Sequence, residues 1–220
     1  FCTLLFLPSA QRMAYLAVEL DDSFRQALHA VASATVAEAV ANGIAFDPME
    51  LEDLHMTFYF FGDALARKKR DDVLALREDV AQHAAKIAFH GSFKPGTLAP
   101  FPPVKQNLLV LTMSEPYGMQ EWHARVGQCA AARIGADVTR NPSPWLPHIT
   151  LGKFGRAPSD TEHQVNVQDA IHSVVRSLNA GGACDPLATR ERPAVAGGLE
   201  LRQAPAMANG IDWSSVANLG

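Results

Sequence analysis

Two stretches, Leu54-His55-Met56-Thr57-Phe58 and Pro147-His148-Ile149-Thr150-Leu151, carry one pattern: His-x-Thr followed by an apolar residue. Side chains alternate between the two faces of a β-strand. Each stretch would therefore present its His and Thr on one face and its apolar residues on the other. If the two polar faces meet, they form a site with two imidazoles and two hydroxyls, which suits acid–base chemistry on a phosphate ester.

The repetition exceeds what composition alone gives. With 8 histidines in 220 residues, His-x-Thr is expected roughly 0.3 times by chance. A single such histidine would most simply be a structural residue of a strand. Two copies in matching strand contexts instead favour a functional pair.

The overall composition, 48 % hydrophobic and 19 % charged, is that of an ordinary soluble globular domain. A formal net charge of −4 argues against a long nucleic-acid tract as partner, because such a tract is held through its phosphates. A small nucleotide or an RNA terminus remains as the expected partner. No apolar run reaches the length of a membrane span, and we expect a monomer without membrane contact.

The three cysteines, Cys2, Cys129 and Cys184, share no metal-binding or redox spacing, which favours plain thiols and a reducing, cytoplasmic compartment. The histidine spacing and the lack of a Gly-rich phosphate loop predict neither a metal nor another cofactor. We interpret residues 1–12 as a leader or translated upstream segment outside a domain that spans 13–218. A clipped targeting signal is the alternative interpretation.

Hydrophobic periodicity predicts strands and helices in alternation. The predicted strands are 14–20, 54–61, 87–93, 107–113 and 148–154, and a closing hairpin combines 199–203 with 211–216. The first predicted helix has its N-cap at Asp21, Asp22 or Ser23 and stops at Asn42-Gly43. The other predicted helices are 65–86, 116–134 and 160–178, with a Pro-rich link over 95–103 and a loop over 180–193. One motif strand falls in each half, so the pattern indicates an α+β fold, a single bilobal domain whose motif strands meet across a cleft.

The motif residues resemble the 2H phosphoesterases, named for two His-x-Thr/Ser motifs, and within them the LigT-like RNA 2′,3′-cyclic phosphodiesterases, also called 2′-5′ RNA ligase-like proteins. The stretch 54–63 resembles that family's first motif with its trailing Phe-Leu-Gly, and 144–153 resembles the second with its Pro-Trp-x-Pro lead-in. Weaker likeness extends over 15–21 and 199–216. The resemblance implies two antiparallel sheets lining a central cleft, helices outside, and no metal requirement.

The resemblance also implies a metal-independent phosphodiesterase that hydrolyses 2′,3′-cyclic phosphates, at RNA ends or in cyclic nucleotides, to 2′-phosphates. His55 would protonate the departing 3′ oxygen while His148 activates water; this assignment follows the resemblance, and the sequence itself leaves the reverse open. Thr57 and Thr150 would donate to the non-bridging phosphate oxygens. Two alternatives stay open: a 2′-5′ oligoadenylate phosphodiesterase with the same site, and a non-catalytic module that binds AMP or CMP.

Three aromatic residues are further candidates for substrate binding. Tyr59 shares a face with His55 by strict alternation, and Tyr15 lies on the opening strand. Trp145 precedes the second motif, where it could either cover a nucleotide or anchor its loop on the core.

Lys153 is a candidate phosphate ligand at a position where many relatives have Arg. Strict alternation places it opposite His148 unless the strand bulges at Gly152. The other six histidines lack a comparable context and are expected on the surface: His29, His83, His90, His123, His163 and His172.

Overall fold

The structure, a computed structural model, describes residues 14–18, 20–156, 166–188 and 199–203. The strands within these ranges are β1 (Ala14–Val18), β2 (Ile44–Pro48), β3 (Met56–Gly62), β4 (Lys94–Phe101), β5 (Leu108–Ser114), β6 (His148–Arg156) and β7 (Leu199–Gln203). The helices are α1 (Asp22–Ala41), α2 (Arg70–Ala84), α3 (Met119–Ile134), α4 (Val167–Ala180) and the short α5 (Asp185–Ala188).

The strands pair antiparallel throughout, in the order β4-β5-β6-β3-β1-β7, with β2 also paired to β6. Two groups are visible: β7-β1-β3 and β4-β5-β6-β2. Between β3 and β6 the only ladder pair in the described chain is Met56–Ile149. The expected α+β class is therefore confirmed, and the two expected antiparallel sheets are two strand groups that join into one sheet at a single pair.

The helices cover the apolar face of this sheet. Helices α2 and α3 pack on each other, and α3 contacts β3, while α1 and α4 contact β2, β4 and β6. Trp122 of α3 is fully buried and donates its indole N–H to the carbonyl of Val80 in α2 over 3.3 Å. Since the apolar side chains of β3 and β6 point toward the helices, their His and Thr side chains lie on the opposite face, which no helix of the described residues covers.

Helix α1 begins and ends where the sequence supplies the signals. Asp21 is its N-cap, and the side-chain carboxylate accepts the backbone N–H of Phe24 over 2.8 Å, satisfying a donor that the first turn leaves without a helical partner. The helix ends before Asn42-Gly43, where Gly43 has φ 73°, a conformation that favours glycine. The N-cap is one of the three predicted candidates, Asp21, Asp22 and Ser23, and the end lies at the predicted Asn42-Gly43 stop.

Two predicted elements around the Pro-rich segment are wrong. The stretch 87–93 is not a strand: Gly91 interrupts it with φ 92°, and its one bridge joins His90 to Tyr117. The predicted link over 95–103 instead contains β4. Proline is compatible with this strand because β4 lies at the edge of the sheet, where a missing N–H costs no ladder hydrogen bond.

Other boundaries shift less. Strand β2 was not predicted, because a five-residue strand that ends in Asp-Pro carries a turn signal rather than a strand signal. A 3-10 turn at Leu65–Arg67 precedes α2, which begins at Arg70 rather than at 65. The first strand of the predicted closing hairpin is confirmed as β7, which pairs with β1. Its second strand, the segments 1–12 and 160–165, and most of the loop over 180–193 beyond α5 lie outside the described residues, so the domain boundaries 13–218 stay a prediction.

Within the described ranges, no helix is both long enough and apolar enough to serve as a transmembrane segment.

Candidate active site

The site lies where the two motif strands meet. Met56 and Ile149 form the joining pair, and both are fully buried against the helices. In an antiparallel pair, the residues on either side of such a pair project from the opposite face. The register therefore places His55 beside Thr150 and Thr57 beside His148. All four side chains are partly exposed. The structure brings together the four predicted motif residues: His55, Thr57, His148 and Thr150.

Both histidines are held in the same way by the backbone. The Nδ1 atom of His55 lies 2.6 Å from the carbonyl oxygen of Asp53, and that of His148 lies 2.7 Å from the carbonyl oxygen of Leu146. Because a carbonyl oxygen only accepts, Nδ1 is the protonated, donating nitrogen in each ring. This fixes the tautomer and directs proton exchange to Nε2 in both histidines.

Each motif is followed by a β-bulge. Against β1, Thr57 and Tyr59 pair with neighbouring residues, which leaves Phe58 as the extra residue. Against β5, Thr150 and Gly152 also pair with neighbouring residues, which leaves the residue between them as the extra one. A bulge shifts the alternation of the residues that follow it by one. The side chains that return to the His/Thr face are therefore at positions 60 and 153.

The bulge in β3 overturns the predicted position of Tyr59. Its side chain is 1 % exposed and packs on the helix side against Gly127 of α3, not on the face of His55. No hydrogen-bond partner for its hydroxyl occurs among the described residues. Burial, reinforced by Asp137, raises the pKa of Tyr59 to about 12. Phe60, which sequence analysis missed, takes the place on the site face, and only the bulge could have pointed to it.

The corresponding bulge in β6 is the one at Gly152 on which the predicted position of Lys153 depends. The extra residue comes just before Gly152, and Lys153 is exposed on the face of His148 and Thr150. It lies in register with Asp47 of β2 and Leu108 of β5. A flexible ammonium group is thus available at the rim of the site.

An aromatic ring flanks each histidine. Tyr15 of β1 stacks on His55 with ring centroids 4.8 Å apart and an interplanar angle of 23°. Phe101 of β4 lies against His148 at 4.3 Å and 35°. Tyr15 was a predicted site residue, whereas Phe101 was missed because it belongs to the segment assigned as a Pro-rich link.

The environment of His148 lowers its pKa below the ordinary value of 6.5. The main cause is burial, which disfavours the charged ring; the hydrogen bond to the carbonyl of Leu146 acts in the opposite direction. Phe101 contributes to this burial with an apolar ring face. His148 is therefore predominantly neutral at pH 7, with a lone pair on Nε2.

Trp145 anchors the loop that leads into the second motif. Its side chain is 3 % exposed, and its indole N–H donates to the carbonyl of Thr57 over 3.2 Å. The backbone of Trp145 is held on both sides by Gln120, whose amide oxygen accepts its N–H at 2.8 Å and whose amide nitrogen donates to its carbonyl at 2.7 Å. Of the two roles predicted for Trp145, this arrangement supports the loop anchor, which links the second motif to the first.

His123 was expected on the surface, and this expectation is wrong. The residue is 6 % exposed on the inner face of α3, stacked on Trp145 at 5.8 Å and 14°. Burial lowers the pKa of His123 to about 4. In the described chain its Nε2 has no hydrogen-bond partner, so it packs as a neutral aromatic ring beneath the site.

Beside His148, on the side of β4 and β5, the site opens into a cavity of about 450 Å³. Its walls are mostly apolar or aromatic, and Glu115 and Gln120 are among the polar residues that line it. As for metals, the residues that the structure describes contain no group of three or more His, Cys, Asp or Glu side chains able to hold an ion.

Comparisons with known proteins give a likeness in structure alone. No protein-family model and no curated sequence matches the chain. Escherichia coli LigT, solved in complex with phosphate, aligns with a TM-score of 0.42 at 19 % identity over 65 % of this chain and 70 % of that one. TT0787 of Thermus thermophilus gives 0.44 at 21 % identity over 68 % and 77 %. Usb1 of Kluyveromyces marxianus gives 0.50 at 13 % identity over 89 % and 95 %. The Usb1 match spans nearly the whole of both chains, and it shows that this chain shares the fold of that protein.

Proposed function

We propose that the chain is a metal-independent phosphodiesterase that hydrolyses 2′,3′-cyclic phosphates, at RNA ends or in cyclic nucleotides, to 2′-phosphates. The observation that carries this proposal is the meeting of two His-x-Thr strands at the Met56–Ile149 pair. Two imidazoles held in the same tautomer by backbone carbonyls are suited to act as an acid and a base on opposite sides of one phosphate.

His148 is the general base in this mechanism. Its lowered pKa keeps Nε2 unprotonated at neutral pH, so it accepts a proton from water as the water oxygen attacks phosphorus. His55, which stacks on Tyr15, takes the part of the general acid, as the family resemblance assigns it. The P–O3′ bond breaks, His55 protonates the departing 3′ oxygen, and the product is a 2′-phosphate with a free 3′-hydroxyl. Proton exchange with solvent then restores both histidines.

The two threonines stabilise the transition state. Each lies on the site face next to the histidine of the other strand, so its hydroxyl is placed to donate to a non-bridging oxygen as negative charge develops there. Lys153, exposed on the same face, adds a positive charge for the phosphate or for a neighbouring phosphate of an RNA terminus. These contacts come from the protein's own side chains, and no metal or other cofactor takes part.

Turnover in EDTA tests the proposal. Nucleoside 2′,3′-cyclic phosphates are incubated with the wild-type protein and with His55→Asn and His148→Asn. We expect kcat to fall by at least ~10² in both variants, as for loss of a general acid or base. His172→Asn, at an exposed histidine of α4, is the matched control and should retain wild-type activity. A folded wild type without turnover would refute the proposal; cleavage of 2′-5′ oligoadenylate or tight AMP binding would then indicate which alternative holds.

A sulfur leaving group tests the separate roles of the two histidines. A cyclic phosphate with sulfur as the 3′ bridging atom needs little protonation of its leaving group, because a thiolate is a weaker base than an alkoxide. His55→Asn should therefore regain most of its activity on this substrate, and His148→Asn should not. The opposite pattern would assign the acid to His148 and the base to His55.

A further inference from the structure

The cavity beside His148 has the shape and chemistry of a base-binding pocket. His148 and Glu115 both line it. Thr112 pairs with His148 across the β5–β6 ladder, and Glu115 follows three residues later, about 10 Å along extended chain. A nucleotide whose phosphate lies at the histidine would therefore direct its base toward the carboxylate.

The walls of the cavity suit a flat ring. Phe101, Val110, Met113 and Trp145 line the cavity with aromatic and aliphatic surface. The hydroxyl of Thr112 is already engaged, since it donates to the carbonyl of Thr97 and accepts the N–H of the same residue. Such a lining stabilises a base by stacking and burial, and recognition of the base edge falls to the polar residues of the lining.

The carboxylate of Glu115 is held in place by the protein. Gln120 donates one amide hydrogen to its Oε1 over 2.8 Å and the other to the carbonyl of Trp145. A carboxylate has about four acceptor sites, so acceptor capacity remains for a ligand. Gln120 thus holds the carboxylate of Glu115, a residue that lines the cavity.

We propose that this cavity binds the base of the substrate and that Glu115 selects guanine. Guanine presents two adjacent donors, N1–H and the N2 amino group, which match a carboxylate. Adenine and cytosine present a single amino donor beside a ring acceptor, and the N3–H of uracil lies between two carbonyl oxygens, so each would set an acceptor against the carboxylate. This inference rests on the proposed function, because it takes the phosphate to lie at His148.

Base preference tests the inference. The kcat/KM is measured for the four nucleoside 2′,3′-cyclic phosphates with wild type, Glu115→Gln and Glu121→Gln. Glu121 is an exposed carboxylate of α3 outside this cavity, so it matches the charge change without touching the base. We expect wild type and Glu121→Gln to favour guanosine by at least about 10-fold, the lower range for a two-bond base contact. Glu115→Gln, which still accepts from Gln120, should lose this preference and change little on the other three substrates. Equal rates for all four bases in wild type, or an unchanged preference in Glu115→Gln, would overturn the inference.

Calorimetry of the binding of guanosine and adenosine 2′-phosphates distinguishes failure of the inference about the pocket from failure of the proposed reaction. Glu115-dependent binding of the guanosine compound without any hydrolysis would overturn the proposed function and support the pocket. Hydrolysis without a difference in binding between the two nucleotides would overturn the pocket and leave the proposed function standing.

Discussion

Replacing Trp145 by Phe should lower both stability and activity, because its indole N–H joins the two motifs. The substitution keeps an aromatic ring against Phe58 but removes the hydrogen bond to the carbonyl of Thr57, 3.2 Å away. Losing a hydrogen bond costs about 0.5–1.5 kcal/mol, and leaving a buried carbonyl unpaired costs about 1–3 kcal/mol. We expect the free energy of unfolding to fall by about 2 kcal/mol.

The activity of Trp145→Phe should fall further than its stability explains. Thr57 projects its hydroxyl into the site from the residue whose carbonyl Trp145 holds, and a displacement of about 1 Å at a reacting group can cost up to ~10² in rate. We expect kcat on a 2′,3′-cyclic phosphate to fall by about 10-fold in the fully folded variant.

Trp122→Phe is the matched control. Trp122 is also buried, also packs on Phe58, at 4.7 Å, and also donates its indole N–H to a backbone carbonyl, that of Val80 at 3.3 Å. That carbonyl belongs to helix α2, away from both motifs. Urea denaturation and kcat are measured for both variants; both should lose stability, and only Trp145→Phe should lose activity. Equal activity of the two variants would refute the view that Trp145 positions the first motif.

Three further predictions follow from single contacts. Phe101→Leu should move the acidic limb of the kcat/KM–pH profile to higher pH. Water that reaches His148 raises the pKa of this histidine toward 6.5, so the base is protonated earlier on acidification. An unmoved acidic limb would contradict the role of Phe101 in burying His148. Gly152→Ala should lower the free energy of unfolding by about 1–3 kcal/mol, because the added methyl group would overlap an aromatic ring of β2, whereas Gly155→Ala meets nothing within 4 Å and should be neutral in urea denaturation. Between pH 6.5 and 4 the wild type should lose on the order of 3 kcal/mol of stability through His123. The folded pKa of His123, about 4, lies below its unfolded value, so the unfolded chain binds the proton first on acidification. His123→Phe should flatten the dependence of stability on pH, and an equally steep dependence in this variant would show that other groups cause it.

The sequence was sufficient for the features that depend on local pattern. Apolar alternation around His55 and His148 located both motif strands, and the cap candidates at 21–23 and the turn at Gly43 located the ends of α1. These signals are local because strand faces and helix ends are set by residues within a few positions.

The remaining features depend on contacts between distant segments. The bulges that remove Tyr59 from the site and place Phe60 on its face come from the register against β1. The amide of Asn141 pairs with both backbone groups of Phe60, at 2.7 and 3.0 Å, where β3 has separated from β6. Phe101 and Glu115 reach the site through the β4–β5 pairing and the cavity beside it. No local periodicity carries such information, because it depends on which strands pair and in what register.

Phosphorus NMR of a nucleoside 2′,3′-cyclic phosphate incubated with the wild-type protein in EDTA tests the central claim most directly. Two histidines acting as His148 base and His55 acid should convert the cyclic ester to the 2′-phosphate alone, without added metal. An unchanged cyclic phosphate, or a mixture of 2′- and 3′-phosphates as in uncatalysed opening, would contradict the account.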